Sequence, residues 1–164
     1  MIRTIADFAG LWKRESETTA RVMRALTNTS LGQRVSEHDR TLGELAWHVA
    51  TAVSEMMNRT GLDLPVPANE EQVPASAEAI AATYEQSAAA LLATVSANWT
   101  DATLEVEDDM YGMRWSRSQT LTALLFHETH HRGQMSVLIR QAGLVVPSIY
   151  GPNREETAAY LQKA

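Results

Sequence analysis

Apolar residues recur at steps of three and four along four long segments of the chain, and polar or proline-containing stretches separate these segments. Such spacing places the apolar side chains on one face of an α-helix. The pattern predicts helices at about 3–27, 41–60, 76–97 and 116–141. Four helices with comparable apolar faces predict an all-α four-helix bundle, folded as a single domain over residues 1–164.

Capping residues mark where several helices begin. A capping side chain followed three residues later by Glu or Gln satisfies two of the free backbone N–H groups at a helix start. This spacing occurs at Thr41 with Glu44, at Ser116 with Gln119 and at Asn153 with Glu156. The first two open the second and fourth helices, and the third predicts a short C-terminal helix.

The segment at 98–116, between the third and fourth helices, has the weakest helical pattern. Its stretch "TLEVE" at 103–107 alternates like a short strand, and "MYGMRW" at 110–115 is placed to return beside it. We therefore expect a short irregular or hairpin segment there.

Composition narrows the possible functions. The chain has 164 residues, of which 45% are hydrophobic and 21% charged, as is typical of a soluble globular domain. Its formal net charge is −6 and its basic residues are scattered, so we expect no nucleic-acid partner. It has no cysteine, which leaves His, Asp and Glu as the candidate metal ligands.

Two further patterns bear on localisation. The first twenty residues lack the apolar run of a signal peptide. No window approaches the roughly 18 apolar residues that a membrane span needs. We expect a cytoplasmic protein that does not interact with membranes.

The stretch "HETHH" at 127–131 lies within the fourth predicted helix and matches the zinc-protease pattern H-E-x-x-H. His127 and His131 lie four residues apart, so they lie on the same helix face, about 6 Å apart along the axis. The H-x-x-G-x-x-H continuation is absent, and the only downstream candidates for a third ligand are Glu155 and Glu156. A zinc protease also needs a sheet edge to hold its peptide. We interpret the match as coincidental.

His48 changes the interpretation of this pair. It lies in the middle of the second helix, at the border of the apolar face, in "ELAWHVA". Alone it is typical of a hydrogen-bonded core histidine. Together with His127 and His131 it completes three imidazoles on the inner faces of two helices, which predicts one metal ion with open coordination positions.

Other polar residues are candidates to support these imidazoles: Glu44, Glu55 and His130. Glu44 is equally explained by its capping box. A histidine placed as His130 is more often an ordinary surface residue. Arg132 and Arg140 are candidates to bind an anionic cosubstrate, although arginines on such a helix are more often surface charges.

Two longer stretches resemble the DinB family of bacterial four-helix proteins. They are "HDRTLGELAWHVA" at 38–50 and "LLFHETHHRGQMSVLIRQAGLVVPSIYGP" at 124–152. The resemblance consists of a histidine in the second helix, H-x-x-x-H-R-x-Q in the fourth, and then G-x-x-x-P-x-x-Y. The last pattern falls on Gly143, Pro147 and Tyr150.

The resemblance implies a bundle with a divalent metal ion, zinc or nickel, held by His48, His127 and His131. It also implies a homodimer that acts on a small-molecule substrate. Relatives in the wider superfamily use low-molecular-weight thiols, so a thiol is a candidate cosubstrate.

Four functions remain open from the sequence. A metal-dependent enzyme would be a thiol S-transferase if the ion activates a thiol, or a hydrolase if it activates water. A non-catalytic protein that binds a metal or a small ligand would use the ion to stabilise the bundle. In the fourth case the histidines are hydrogen-bonded and metal-free.

Overall fold

The computed structural model of the protein describes residues 2–162, and the predicted helices are all present within them. The α-helices are α1 (Ile5–Arg24), α2 (Leu42–Asn58), α3 (Ala77–Asn98), α4 (Arg117–Gln141) and α5 (Arg154–Leu161). Two short 3₁₀ turns, Asn28–Gly32 and Asp101–Glu105, precede α2 and the hairpin. The hairpin strands are β1 (Glu107–Met110) and β2 (Met113–Ser116).

The three predicted capping boxes form as expected. Thr41 caps α2, Ser116 caps α4 and Asn153 caps α5, each with a side chain three residues on that returns to the cap backbone. A fourth box, Thr4 with Asp7, opens α1. These bonds satisfy backbone N–H groups that would otherwise lack a partner at a helix start.

The four long helices form a bundle. α1 and α2 each pack against both α3 and α4, so α1 lies diagonally opposite α2. The core between them includes the fully buried Phe8, Trp12, Tyr84 and Leu91. The Trp12 indole donates to the Ala88 carbonyl at 2.9 Å, which satisfies its polar group inside the core.

The predicted hairpin is present, but its first strand is displaced. Part of "TLEVE" forms the 3₁₀ turn, and β1 begins only at Glu107. Tyr111 and Gly112 form the two-residue turn with φ of 59° and 80°, the combination that matches the twist of paired strands. The Tyr111 hydroxyl donates to Glu55 at 2.6 Å, which holds the hairpin against α2.

None of the helices within residues 2–162 combines the length and the apolar composition that a membrane span requires.

A buried ion pair joins α4 to α1. The guanidinium of Arg132, only 1% exposed, donates to a carboxylate oxygen of Glu15 at 2.6 Å. It also donates to the Glu15 carbonyl and to the Thr19 hydroxyl, both at 3.0 Å. The hydroxyl of Tyr150, beyond the end of α4, donates to the same carboxylate oxygen at 2.6 Å. This cluster, which we call the Arg132 clamp, connects α1, α4 and the segment that follows α4.

Glu15 is charged in this clamp at neutral pH. Burial by itself raises the pKa of the Glu15 carboxyl, but the hydrogen bonds from Tyr150 and Arg132 outweigh it and leave that pKa below its ordinary value. The charge of Arg132 therefore has a full counter-charge inside the protein.

We predict that Glu15→Gln lowers the free energy of unfolding by about 3 kcal/mol, because it removes the carboxylate that pairs with the buried Arg132 guanidinium. Urea denaturation of both proteins at neutral pH measures the difference. Glu17→Gln is the matched control, since that side chain lies on the same helix and is 72% exposed. It should change the free energy of unfolding by less than about 0.5 kcal/mol. Equal effects of the two substitutions would contradict a stabilising role for the clamp.

Candidate metal centre

Three histidines converge where α2 faces α4. His48 comes from α2, and His127 and His131 come from successive turns of α4. Each offers a ring nitrogen, and these three atoms lie within 4.8 Å of one another. The structure therefore brings together the three residues that the sequence predicted as metal ligands.

The geometry of this cluster fits a single ion. The Nε2 atoms of His48 and His127 are 3.0 Å apart. Two nitrogens bound at about 2.0–2.1 Å to one tetrahedral zinc ion would lie roughly 3.3 Å apart, so this pair needs little movement. Nitrogens as far apart as 4.8 Å must move closer together to share one ion. The three rings meet edge to face, with centroid distances of 4.5 to 4.8 Å. This arrangement directs ring edges, which carry the nitrogens, toward a common point.

The electrostatic setting keeps the imidazoles neutral, as metal ligands must be. Burial lowers the pKa of His48 to about 4, with a contribution from the positive charge of Arg40. Burial likewise lowers the pKa of His127 to about 4, followed by the effect of His131. The pKa of His131 is also lowered by burial, although its hydrogen bond to Gln134 opposes that shift. Near neutral pH all three rings are uncharged and have a nitrogen lone pair available.

Gln134 fixes the orientation of His131. Its side-chain oxygen lies 2.7 Å from Nδ1 of His131, so it accepts the proton on that nitrogen and leaves Nε2 free as a ligand. Gln134 was not among the predicted supporting residues, although it is the Gln of the pattern H-x-x-x-H-R-x-Q and lies three positions after His131, on the same helix face. Nδ1 of His127 is buried and has no hydrogen-bond partner among the described residues.

The glutamate of the H-E-x-x-H match does not face the histidines. Glu128 is 1% exposed and lies 3.4 Å from the Thr19 hydroxyl on α1, and burial raises its pKa to about 7. Glu155 is paired with Arg140 at 2.7 Å. Neither carboxylate is placed to serve a zinc protease, which agrees with interpreting the match as coincidental.

Of the three residues predicted to support the imidazoles, the two glutamates are bound to other groups and His130 lies beside His131. Glu44 is used by its capping box, where it accepts from the Thr41 backbone at 2.6 Å. Glu55 lies at the edge of the cluster, but its carboxylate is held by Arg59 and Tyr111. The His130 ring lies edge-on to His131, with centroids 4.9 Å apart, and its side chain is exposed.

Arg132 was expected either to bind an anionic cosubstrate or to be a surface charge, and both expectations were wrong. Arg132 is neither a surface charge nor available to a cosubstrate, because it is buried in the Arg132 clamp. Sequence spacing did not reveal this, since its partner Glu15 lies 117 residues away. Arg140 is half-buried and its guanidinium is bound by Glu155 through two hydrogen bonds.

Two cavities open onto the cluster from different sides. The first, the Arg40 cavity, has a volume of about 480 Å³ and is lined by Val35, Asp39, Arg40, Leu45, His131, Gln134, Val137 and Leu138. The second, the aromatic cavity, has a volume of about 620 Å³ and is lined by His48, Thr51, Ala52, Glu55, Met56, Glu70, Glu71, Tyr111, Trp115, Ala123 and His127. A small molecule in either cavity would border the histidines.

The chain is similar to proteins of one known family. The model of the DinB family matches residues 1–163. An uncharacterized protein of Bacillus subtilis (strain 168), YrdA, is 39% identical over 160 residues, which cover 98% of this chain and 96% of YrdA. A DinB-like protein of Bacillus cereus ATCC 10987, of known crystal structure, superposes with a TM-score of 0.88 at 39% identity, covering 92% of this chain and 100% of that one. The DinB-like protein YjoA of Bacillus subtilis shares the fold, with a TM-score of 0.68 at 16% sequence identity. That superposition covers 87% of this chain and 96% of the YjoA chain.

We predict that the stability contributed by neutral His48 is lost on acidification. The pKa of His48 is 6.5 in its ordinary state and about 4 in the folded protein. Between these two pH values, the imidazole binds a proton in the unfolded protein but not in the folded one. Lower pH in this window therefore favours the unfolded state. Gln does not titrate, so the free energy of unfolding of wild type minus that of His48→Gln should decrease as pH falls from 6.5 to 4.

The measurement is urea denaturation of both proteins with a metal chelator present, at several pH values in that window. Taking the difference between the two proteins removes contributions that they share, such as that of Glu128. A difference that stays constant across the window would show that His48 is not held neutral by the fold.

Proposed function

The chain belongs to the DinB family, and from that premise we propose that His48, His127 and His131 form the divalent-metal centre of an enzyme that acts on small molecules. The reaction we propose is transfer of a low-molecular-weight thiol to an electrophilic carbon. Zinc and nickel suit a site of three neutral nitrogens. The observation that carries the proposal is that two separate cavities border one cluster of neutral imidazoles.

The donor set supports a catalytic role over a purely structural one. Structural zinc sites are usually closed by four protein ligands, whereas catalytic sites keep a position open for water or substrate. Within the described residues, the cluster of candidate ligands comprises three histidines and no carboxylate. An ion held by three neutral ligands keeps its full positive charge, which lowers the pKa of a thiol or water that binds beside them.

The two cavities favour transfer over hydrolysis. Hydrolysis needs room for one organic substrate and a water molecule, whereas conjugation must bring two organic molecules to the same point. The thiol loses its proton to solvent, its sulfur forms a bond to the electrophilic carbon, and the leaving group departs with the electron pair of the broken bond. The chain's own contribution is to hold the two molecules at adjacent positions, which converts a bimolecular encounter into a local one.

Other residues of the chain support the cluster. Gln134 holds His131 in the tautomer that leaves Nε2 free, and such supporting partners are typical of ligating histidines. The Arg132 clamp begins at the residue after His131 and holds α4 against α1. Tyr111 and Trp115 supply flat apolar surface in the aromatic cavity, which suits an unsaturated or aromatic electrophile.

We predict about one equivalent of a transition metal in untagged wild-type protein, and loss of that metal in both His48→Ala and His131→Ala, because each removes one of three ligands. Elemental analysis of the purified proteins measures the content. His130→Ala is the matched control, since His130 is adjacent to His131 on the same helix but lies outside the cluster. Metal retained in His48→Ala but lost in His131→Ala would place the site on α4 alone. Absence of metal in all four proteins after reconstitution would overturn the proposal.

We further predict that the metal-loaded protein accelerates conjugation of a thiol to 1-chloro-2,4-dinitrobenzene, followed by the absorbance of the thioether product. A panel of low-molecular-weight thiols should include at least one that supports turnover. The rate should fall to the uncatalysed background in His131→Ala and remain near wild type in His130→Ala. If no thiol in the panel supports turnover or alters the spectrum of the cobalt-substituted protein, thiol transfer is refuted while the metal centre remains.

A further inference from the structure

The two cavities beside the histidines differ in charge. The aromatic cavity is lined by the carboxylates of Glu55, Glu70 and Glu71 and by no Lys or Arg, and the Glu55 carboxylate is paired with Arg59. The Arg40 cavity has one carboxylate, that of Asp39, and the guanidinium of Arg40. An organic anion is therefore repelled from one entrance and can be neutralised at the other.

The guanidinium of Arg40 is available to a ligand. Among the described residues it forms no ion pair, and its side chain is exposed. The neighbouring carboxylate of Asp39 accepts a hydrogen bond from the Ser36 hydroxyl at 2.7 Å. Arg34, on the same loop, donates instead to the Glu37 carbonyl at 3.0 Å and does not line the cavity.

The backbone at Arg40 is anchored, whereas its side chain is exposed. The next residue, Thr41, is the cap of α2, and its N–H and hydroxyl are both engaged with Glu44. The Leu42 N–H donates to the Gln33 carbonyl at 2.7 Å, which fixes the loop that carries Arg40. A cation on a fixed point at a cavity mouth is a suitable partner for a carboxylate, with which guanidinium forms paired hydrogen bonds.

Arg40 and His131 line the same cavity, so a ligand in it can contact the guanidinium and the histidine cluster together. The cavity between them has apolar walls formed by Val35, Leu45, Val137 and Leu138. A short carbon chain along these walls would join an anionic group at Arg40 to a donor atom at the histidines.

We propose that the Arg40 cavity binds the thiol cosubstrate by a carboxylate on its tail, with Arg40 as the residue that recognises this anion, while the electrophile enters by the aromatic cavity. The inference rests on the proposed metal centre and names the charge of its cosubstrate. Arg40 thus takes the role of anion recognition for which Arg132 and Arg140 were the candidates from the sequence.

The test uses the cobalt(II)-substituted full-length protein, whose thiolate charge-transfer absorbance reports binding of a thiol to the ion. The two probes are 3-mercaptopropionate, which carries a carboxylate, and 2-mercaptoethanol, which is neutral. For each variant, the ratio of the two dissociation constants is measured. Comparing ratios between variants cancels the intrinsic difference between the two thiols.

We expect Arg40→Gln to reduce the preference for 3-mercaptopropionate over 2-mercaptoethanol by roughly tenfold, as loss of a charge-assisted hydrogen-bonded pair implies. Arg40→Lys should restore part of it, and Asp39→Asn should increase it. Arg34→Gln is the matched control on the same loop, and Glu71→Gln is the control in the aromatic cavity. Both should leave the ratio unchanged.

The outcomes separate this inference from the function on which it rests. If cobalt binding gives no spectrum that depends on His48, the metal centre is wrong and this inference falls with it. If the spectrum forms and both thiols bind, but Arg40→Gln leaves the ratio as in wild type, the role of Arg40 is overturned and the metal centre stands. An equal change of the ratio in Arg40→Gln and Arg34→Gln would also overturn it, because the effect would then be one of net charge.

Discussion

The arrangement of the bundle around its histidines depends on one buried charge. Arginine is a cationic residue, and α4 places Arg132 where only 1% of it is exposed, so the fold must supply a counter-charge. Glu15 on α1 supplies it at 2.6 Å, and this pairing fixes how α4 is rotated about its own axis. With Arg132 and Glu128 directed toward α1, His127 and His131 on the same helix are directed toward α2. The segment after α4 is held to the same point through Tyr150.

A second constraint acts on the histidines themselves. Partial burial removes imidazoles from water and disfavours their charged forms, so the cluster is stable only while the rings are neutral or bind a positive ion. The same desolvation that makes the cluster costly in acid makes its nitrogens available as ligands near neutral pH. The stability of the cluster and the availability of its nitrogen lone pairs therefore have a common physical origin.

The surroundings of the cluster are asymmetric. On one side, the loop before α2 carries Arg40 beside apolar walls, and on the other, the hairpin brings Tyr111 and Trp115 over α2 near several carboxylates. Neither side is built by the four long helices alone. The connections that join them provide the residues that would distinguish one ligand from another, whereas the helices provide the histidines.

The sequence by itself determined the local structure and the identity of the histidines. Helix periodicity, capping boxes such as Thr41 with Glu44, and the four-residue spacing of His127 and His131 are interactions between residues close in the chain, so a single sequence displays them. Only the tertiary structure decided which side chains meet across long separations: that His48 reaches His127 over 79 residues, and that Arg132 is buried against Glu15 over 117. The direction of Glu128 and the charge of the two cavities were decided in the same way, because packing between helices sets them and spacing along one helix does not.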